Sequence, residues 1–240
     1  MNEITEQTER IRNFICKNLH LNSAKLTNLV VEKFSISRQA VNVHLKNLVK
    51  EKIIQAKRNG KSIDYSLRPI LEKSFEEKIL KNSSEYTVRE NTIEPVFEKL
   101  NLPKNVFDIW MYGFSEMVNN LIDHSGSKTA VISFLTNFLY TEIKIKDNGI
   151  GIFKNLENNF QLIEPQYALL ELFKGKLTSD PSHHSGEGIF FTSRMFDYFR
   201  IQSGFYSFSK DISPDLWVIE KKKKKLKGTE ITLRLDNHSE

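Results

Sequence analysis

The sequence predicts an α+β protein of two domains, and three observations carry that prediction. Residues 1–68 hold three successive helical repeats of apolar side chains, then a short hairpin signal, with basic residues in excess. A one-faced helix then begins at Asn105, followed by two strand patterns. Finally, paired glycines stand at a predicted strand end and just before a predicted helix, where backbone rather than side chain can meet a ligand.

Composition bounds the classes available. The chain has 240 residues, 39% hydrophobic and 27% charged, the proportions of an ordinary globular protein with enough length for a real core. No apolar run approaches the roughly 18 residues of a membrane span, and the N-terminus has no apolar signal core. The single cysteine, Cys16, excludes an intrachain disulfide, so a cytoplasmic location is expected. The net charge of +5 is unevenly spread: residues 1–68 carry 13 Lys+Arg against 6 Asp+Glu (+7), the remainder 22 against 24 (−2). A polyanionic partner for the N-terminal third is therefore expected.

Within that third, Ile11, Phe14, Ile15 and Leu19 give residues 5–20 a helical stripe, and Leu26, Leu29, Val30 and Phe34 give a second. Ser37 is a good N-cap for a third helix, whose apolar set is Val41, Leu45, Leu48 and Val49. Arg38, Gln39, Asn42 and Lys46 are left facing outward, while His44 is read as structural. "IIQAKRNGKSIDYSL" then reads as two short strands around the tight-turn pair Asn59-Gly60. Three helices and a basic hairpin make a winged helix-turn-helix over 1–68. The run "SISRQAV…HLKNL…II" resembles the winged-helix DNA-binding domains of bacterial regulators. That resemblance implies that the helix from Arg38 enters the major groove of duplex DNA, and that Lys57, Arg58 and Lys61 meet phosphates. The alternative is a docking or dimerisation module.

Residues 69–84 are expected to form a charged linker helix between Pro69 and Ser83-Ser84. The second domain, 85–240, opens with the helix from Asn105. There Glu116, Asn120 and His124 recur at intervals of four along the edge of the apolar stripe, where they would border a cleft. A carboxylate so placed suits a general base, and an amide oxygen suits a hard cation. A predicted strand, Thr141 to Lys146, runs into Asp147-Asn148-Gly149-Ile150-Gly151, where a carboxylate beside glycines suits an amino-substituted base. Gly186 and Gly188 precede an apolar helix, an arrangement suited to phosphate. "KGTEITLRL" places Thr229 at the start of a closing strand.

In that order, E-x-x-x-N-x-x-x-H, D-x-G-x-G, G-x-G and G-T resemble the GHKL superfamily of ATPases over residues 85–236. The fold implied is an α/β sandwich with a mixed sheet. "NNLIDHSG" and "GKLTSDPSHHSGEGIFFTSRMFD" look like histidine-kinase-like domains of the anti-sigma-factor serine-kinase type. The resemblance implies Glu116 as the base, Asn120 as an Mg²⁺ ligand, and His124 near the phosphates. It gives Asp147 the adenine amino group, Gly149 and Gly151 the base pocket, and Gly186 and Gly188 the triphosphate. Thr229 would support Asp147 through water. Residues 152–185 would form a lid from which Lys174, Lys176, His183 or His184 reach the γ-phosphate.

The sequence departs from relatives in two respects. It lacks the phosphoacceptor helix pair of histidine kinases. It also ends shortly after its last predicted strand, where similar regulators often continue into a STAS-like domain, so a shorter variant or a separate STAS-like segment is expected. Asp123-His124-Ser125 is no hydrolytic triad, because neighbouring helical residues point apart. His183-His184 reads as solvated loop, Lys221–Lys227 as a solvated turn, and the phenylalanines at 190, 191, 196 and 199 as core. The functional expectation is a cytoplasmic regulator with Mg²⁺-ATP-dependent serine/threonine kinase-like or ATPase activity joined to DNA binding. The alternative is a transcriptional regulator for which ATP is only a ligand. Expected partners are ATP, duplex DNA, a protein phosphoacceptor or STAS-like segment, and a second copy as homodimer, with no membrane.

Overall fold

The computed structural model describes residues 3–60, 62–80, 82–100, 102–155, 188–211 and 216–237. It divides into two compact units. One comprises 1–72 with two short pieces, 135–141 and 236–240, and the other 73–134 with 142–235.

The first unit begins with α1 (Glu3–Lys17), α2 (Ser23–Phe34) and α3 (Arg38–Lys50). Side-chain caps set the helix starts: Asn22 accepts from the Lys25 amide (3.0 Å) and Ser37 from the Ala40 amide (3.1 Å). The expected stripes turn inward, with Ile15, Leu26, Val30 and Val41 wholly covered, except that Val49, expected on the buried face of α3, is 37% exposed. Leu139, from the short piece 135–141, joins the same core. Strands β1 (Ile54–Asn59) and β2 (Ser62–Leu67) pair antiparallel from Ile54 opposite Leu67 to Asn59 opposite Ser62. Gly60 supplies the positive φ (61°) that their turn requires.

The second unit is built on a five-stranded sheet of order β3-β4-β5-β7-β6. Its strands are β3 (Leu71–Lys78), β4 (Thr129–Thr136), β5 (Tyr140–Asp147), β6 (Tyr198–Asp211) and β7 (Leu216–Asp236). Its helices include α4 (Glu85–Thr92), α5 (Glu94–Phe97), α6 (Lys104–His124) and α7 (Gly188–Met195). The architecture is therefore α+β. Helix α6 packs against α4 and α7. The aromatic centre of the core is the series Phe134–Phe97–Trp110–Phe196, with ring centroids 4.9–5.5 Å apart. Along β5 the period of two puts Ile143, Ile145 and Asp147 on one covered face, which is why an ionisable side chain ends up 6% exposed.

Several expectations need correction. Residues 69–84 contain no linker helix among those described; Leu71–Lys78 is strand β3 at the sheet edge. Leu71, Phe75 and Ile79 recur every four residues, a spacing that fits a helical stripe and alternate strand positions equally well. Burial alternates residue by residue along β3, so the period of two prevails. Ser84 does not close a linker but caps α4, accepting from the Thr87 amide (3.3 Å). The second unit thus begins at Lys73 rather than 85, while 135–141 and 236–240 belong to the first.

The lysine run is not a turn but part of β7. Ser203 pairs with Thr229 and Tyr206 with Lys221, so β7 carries extra residues there and bulges, with Gly204 and Gly228 at positive φ. Phe191 is 44% exposed and thus not core, whereas Phe196 and Phe199 are buried as expected.

Candidate nucleotide site and candidate nucleic-acid surface

The site in the second unit grows from the C-terminal end of α6. The last carbonyls of a helix have no partner within it. Here the His124 carbonyl accepts from Asn155 Nδ2 (3.1 Å) and the Ser125 carbonyl from the Ile150 amide (2.9 Å). These two bonds draw the loop after β5 onto the end of α6. Gly149 is required at that contact, since a Cβ there would lie 2.0 Å from the Ser125 carbonyl oxygen.

Asp147 lies in the middle of this cradle. Its Oδ1 accepts from the Gly149 amide (2.7 Å) and its Oδ2 from the Thr229 amide (3.2 Å). Burial pushes the carboxyl pKa up, the backbone N–H groups draw it down, and the upward effect prevails. Each oxygen keeps a second lone pair, so the carboxylate still has acceptor capacity for an exocyclic amine. Thr229 reaches Asp147 directly through its own amide, and its hydroxyl accepts from the Ile152 amide (2.9 Å).

Four further residues, Gly228, Ser203, Asn155 and Ser125, complete the cradle without having been given a role in it from the sequence. A Cβ on Gly228 would lie 2.3 Å from the Asp147 carbonyl oxygen, and one on Gly151 would lie 2.5 Å from Ser203 Oγ. Ser203 Oγ in turn donates to the Gly228 carbonyl (2.9 Å). Asn155 and Ser125 join through the bonds already described. Gly228 alone had a sequence signal, as a glycine at a strand interior marks a close backbone approach.

Glu116, Asn120 and His124 occupy one side of α6, all half-buried, as expected of side chains bordering a cleft. Eight residues of helix separate the first from the last, about 12 Å along the axis. Asn120 donates Nδ2 to the Glu116 carbonyl (2.8 Å), which leaves Oδ1 as its acceptor end. Gly188, the first residue of α7, presses on Glu116: a Cβ there would sit 2.1 Å from Oε2. The carboxylate therefore stands beside a helix N-terminus, whose dipole favours negative charge. Lys174, Lys176, His183, His184 and Gly186 lie outside the described residues. Among the described residues no group of three or more His, Cys, Asp or Glu is placed to hold a metal.

In the first unit, Arg38, Gln39, Asn42 and Lys46 are exposed on α3, and Lys57 and Arg58 on β1. Arg38 Nη2 donates to Asn28 Oδ1 (3.1 Å), so α2 steadies that side chain. His44 is half-buried, its pKa lowered by burial and then by the Arg12 charge, in keeping with a structural role. Lys61 lies outside the described residues.

Comparison with known proteins assigns no family: no family model matches the chain, and no curated protein matches it significantly. Among the described residues no helix is long and apolar enough to cross a membrane.

Proposed function

We propose that this chain is a cytoplasmic regulator in which a GHKL-type Mg²⁺-ATP site is joined to a winged helix-turn-helix that binds duplex DNA. The observation that carries the reading is the buried Asp147 carboxylate, held by two backbone amides in a cradle whose close contacts admit only glycine at 149, 151 and 228. Such a carboxylate suits the amino group of adenine. The half-buried row on α6 then provides for the rest of an elongated ligand. Asn120 Oδ1 would ligate the hard cation, His124 would lie toward the phosphates, and the backbone N–H groups of α7 beside Gly188 would meet the anionic end.

Bound Mg²⁺-ATP supplies the electrophilic phosphoryl group. Glu116 would orient the attacking water or protein hydroxyl and take its proton as the bond from the γ-phosphorus to the departing ADP breaks. The phosphoacceptor is a serine or threonine of a partner, a STAS-like segment for instance, or else water. The exposed polar and basic side chains of α3 and β1 support duplex DNA as the ligand of the first unit. A second copy of the chain as homodimer partner belongs to the same proposal.

Glu116→Gln and Asn120→Ala separate catalysis from simple sensing. Glu116→Gln is expected to leave ATP affinity nearly intact while lowering turnover roughly 10²–10⁴-fold. Asn120→Ala loses affinity as well, through the metal. The pair is read by calorimetry alongside phosphate release and phosphotransfer. Binding without turnover in wild type would leave ATP as a regulatory ligand only.

A further inference from the structure

Val43 is anomalous on α3. The other apolar side chains of that helix at Val41, Leu45 and Leu48 are no more than 2% exposed, whereas Val43 is 55% exposed in the middle of the outward face. Neither burial nor propensity accounts for it, because a β-branched residue on a helix surface is a weak helix former. At about 100° per residue, Val43 falls between Gln39 and Asn47 on the wheel, with Lys46 and Lys50 near it and Asn42 at the edge of the same face. The only other exposed large apolar residue on α3, Val49, lies well round from it, so the two do not make an apolar docking patch.

Two amides flanking one stiff apolar group have a specific complement in DNA. Asn and Gln match the N6 and N7 edge of adenine. The one apolar group in the major groove is the C5-methyl of thymine, adenine's own partner. Resting on the DNA-binding reading above, we infer that the outward face of α3 reads an A·T-containing element, with Gln39, Asn42 or Asn47 on adenine and Val43 packed on a thymine methyl. Val43 is then a specificity-determining residue. Lys46 on α3 and Lys57 and Arg58 on the β1–β2 hairpin meet phosphates and carry no sequence preference.

The test uses the full chain and duplexes enriched by it from a random pool, with each thymine replaced by uracil in turn. Uracil keeps the O4 acceptor and the base pair and removes only the methyl. Wild type should lose about three- to ten-fold in affinity at one or two positions. Val43→Ala should bind the thymine duplex about as weakly as wild type binds the uracil duplex, with no further loss on uracil. Alanine is the better helix former, so the substitution does not endanger the fold. Enrichment of a sequence that wild type binds equally well with uracil at every position overturns the role of Val43, as does undiminished methyl discrimination in Val43→Ala. Failure of the underlying reading is distinct: no duplex is enriched and no salt-sensitive binding occurs, which overturns both together.

Discussion

At Asp147 the fold sets a carboxylate against its own solvation, and the consequence is a dependence on pH. Burial raises its pKa despite the Gly149 and Thr229 amides. An acid whose pKa is higher folded than unfolded costs the native state stability while ionised, and that cost vanishes as pH falls through the raised value. Adenine recognition runs the other way, because protonation removes an acceptor. ATP affinity should therefore weaken on acidification earlier than an ordinary aspartate would dictate. In Asp147→Asn it should be weak at all pH values, and that variant also sets an amide NH₂ against a backbone N–H. Titration calorimetry across pH checks this, and a wild-type affinity that is flat with pH would contradict it. Asp147, Gly149 and Gly151 were legible in the sequence because a D-x-G-x-G run after a strand pattern confines them. The direct role of the Thr229 amide and the parts of Ser203 and Asn155 were not. Each depends on two segments far apart in sequence meeting through backbone atoms, which no side-chain pattern encodes.

At the scale of the element, α6 is the member whose position fixes the row from Glu116 to His124. It sits close to α7 because Gly113 admits the Phe196 ring: an added Cβ would lie 2.4 Å from Phe196 Cε2 and 2.8 Å from Cζ. That ring is 1% exposed and stacked edge-on against Trp110, so it has little room to yield. Gly113→Ala gains about 1 kcal/mol of helix propensity but incurs about 1–3 kcal/mol of overpacking. The expected net is a Tm lowered by a few degrees, at roughly 2–4 °C per kcal/mol for a chain of this size. A raised Tm in thermal unfolding would show that α6 and α7 are not wedged together there. Helix α6 was readable in advance because its stripe of Trp110, Phe114, Met117, Val118 and Leu121 admits only the helical period. Strand β3 was not, since Leu71, Phe75 and Ile79 satisfy both periods. The lysines of β7 were misjudged because a run of charge looks like a loop, whereas a bulge lets a strand carry it outward.

At the scale of the molecule, the proposal gives the two units two recognition tasks. The basic excess of residues 1–68 supports a polyanionic ligand for one. The division itself was only partly legible: the sequence suggests contiguous domains, whereas residues 135–141 and 236–240 belong with the first unit. Leu139 shows why, because an apolar residue between two strands reads as a turn until its burial in the core around Ile15 and Val30 is known. The glycine-bounded cradle on Asp147 is the feature on which the functional reading rests, and its choice of base is the most direct check. Adenine presents an amino donor where guanine presents the O6 acceptor, which a buried carboxylate repels. Calorimetry on the full chain with Mg²⁺-ATP and then Mg²⁺-GTP should show ATP binding about 100-fold tighter or more, with the preference collapsing in Asp147→Asn. Equal affinity for the two nucleotides, or binding of neither, would contradict the assignment of this site to ATP.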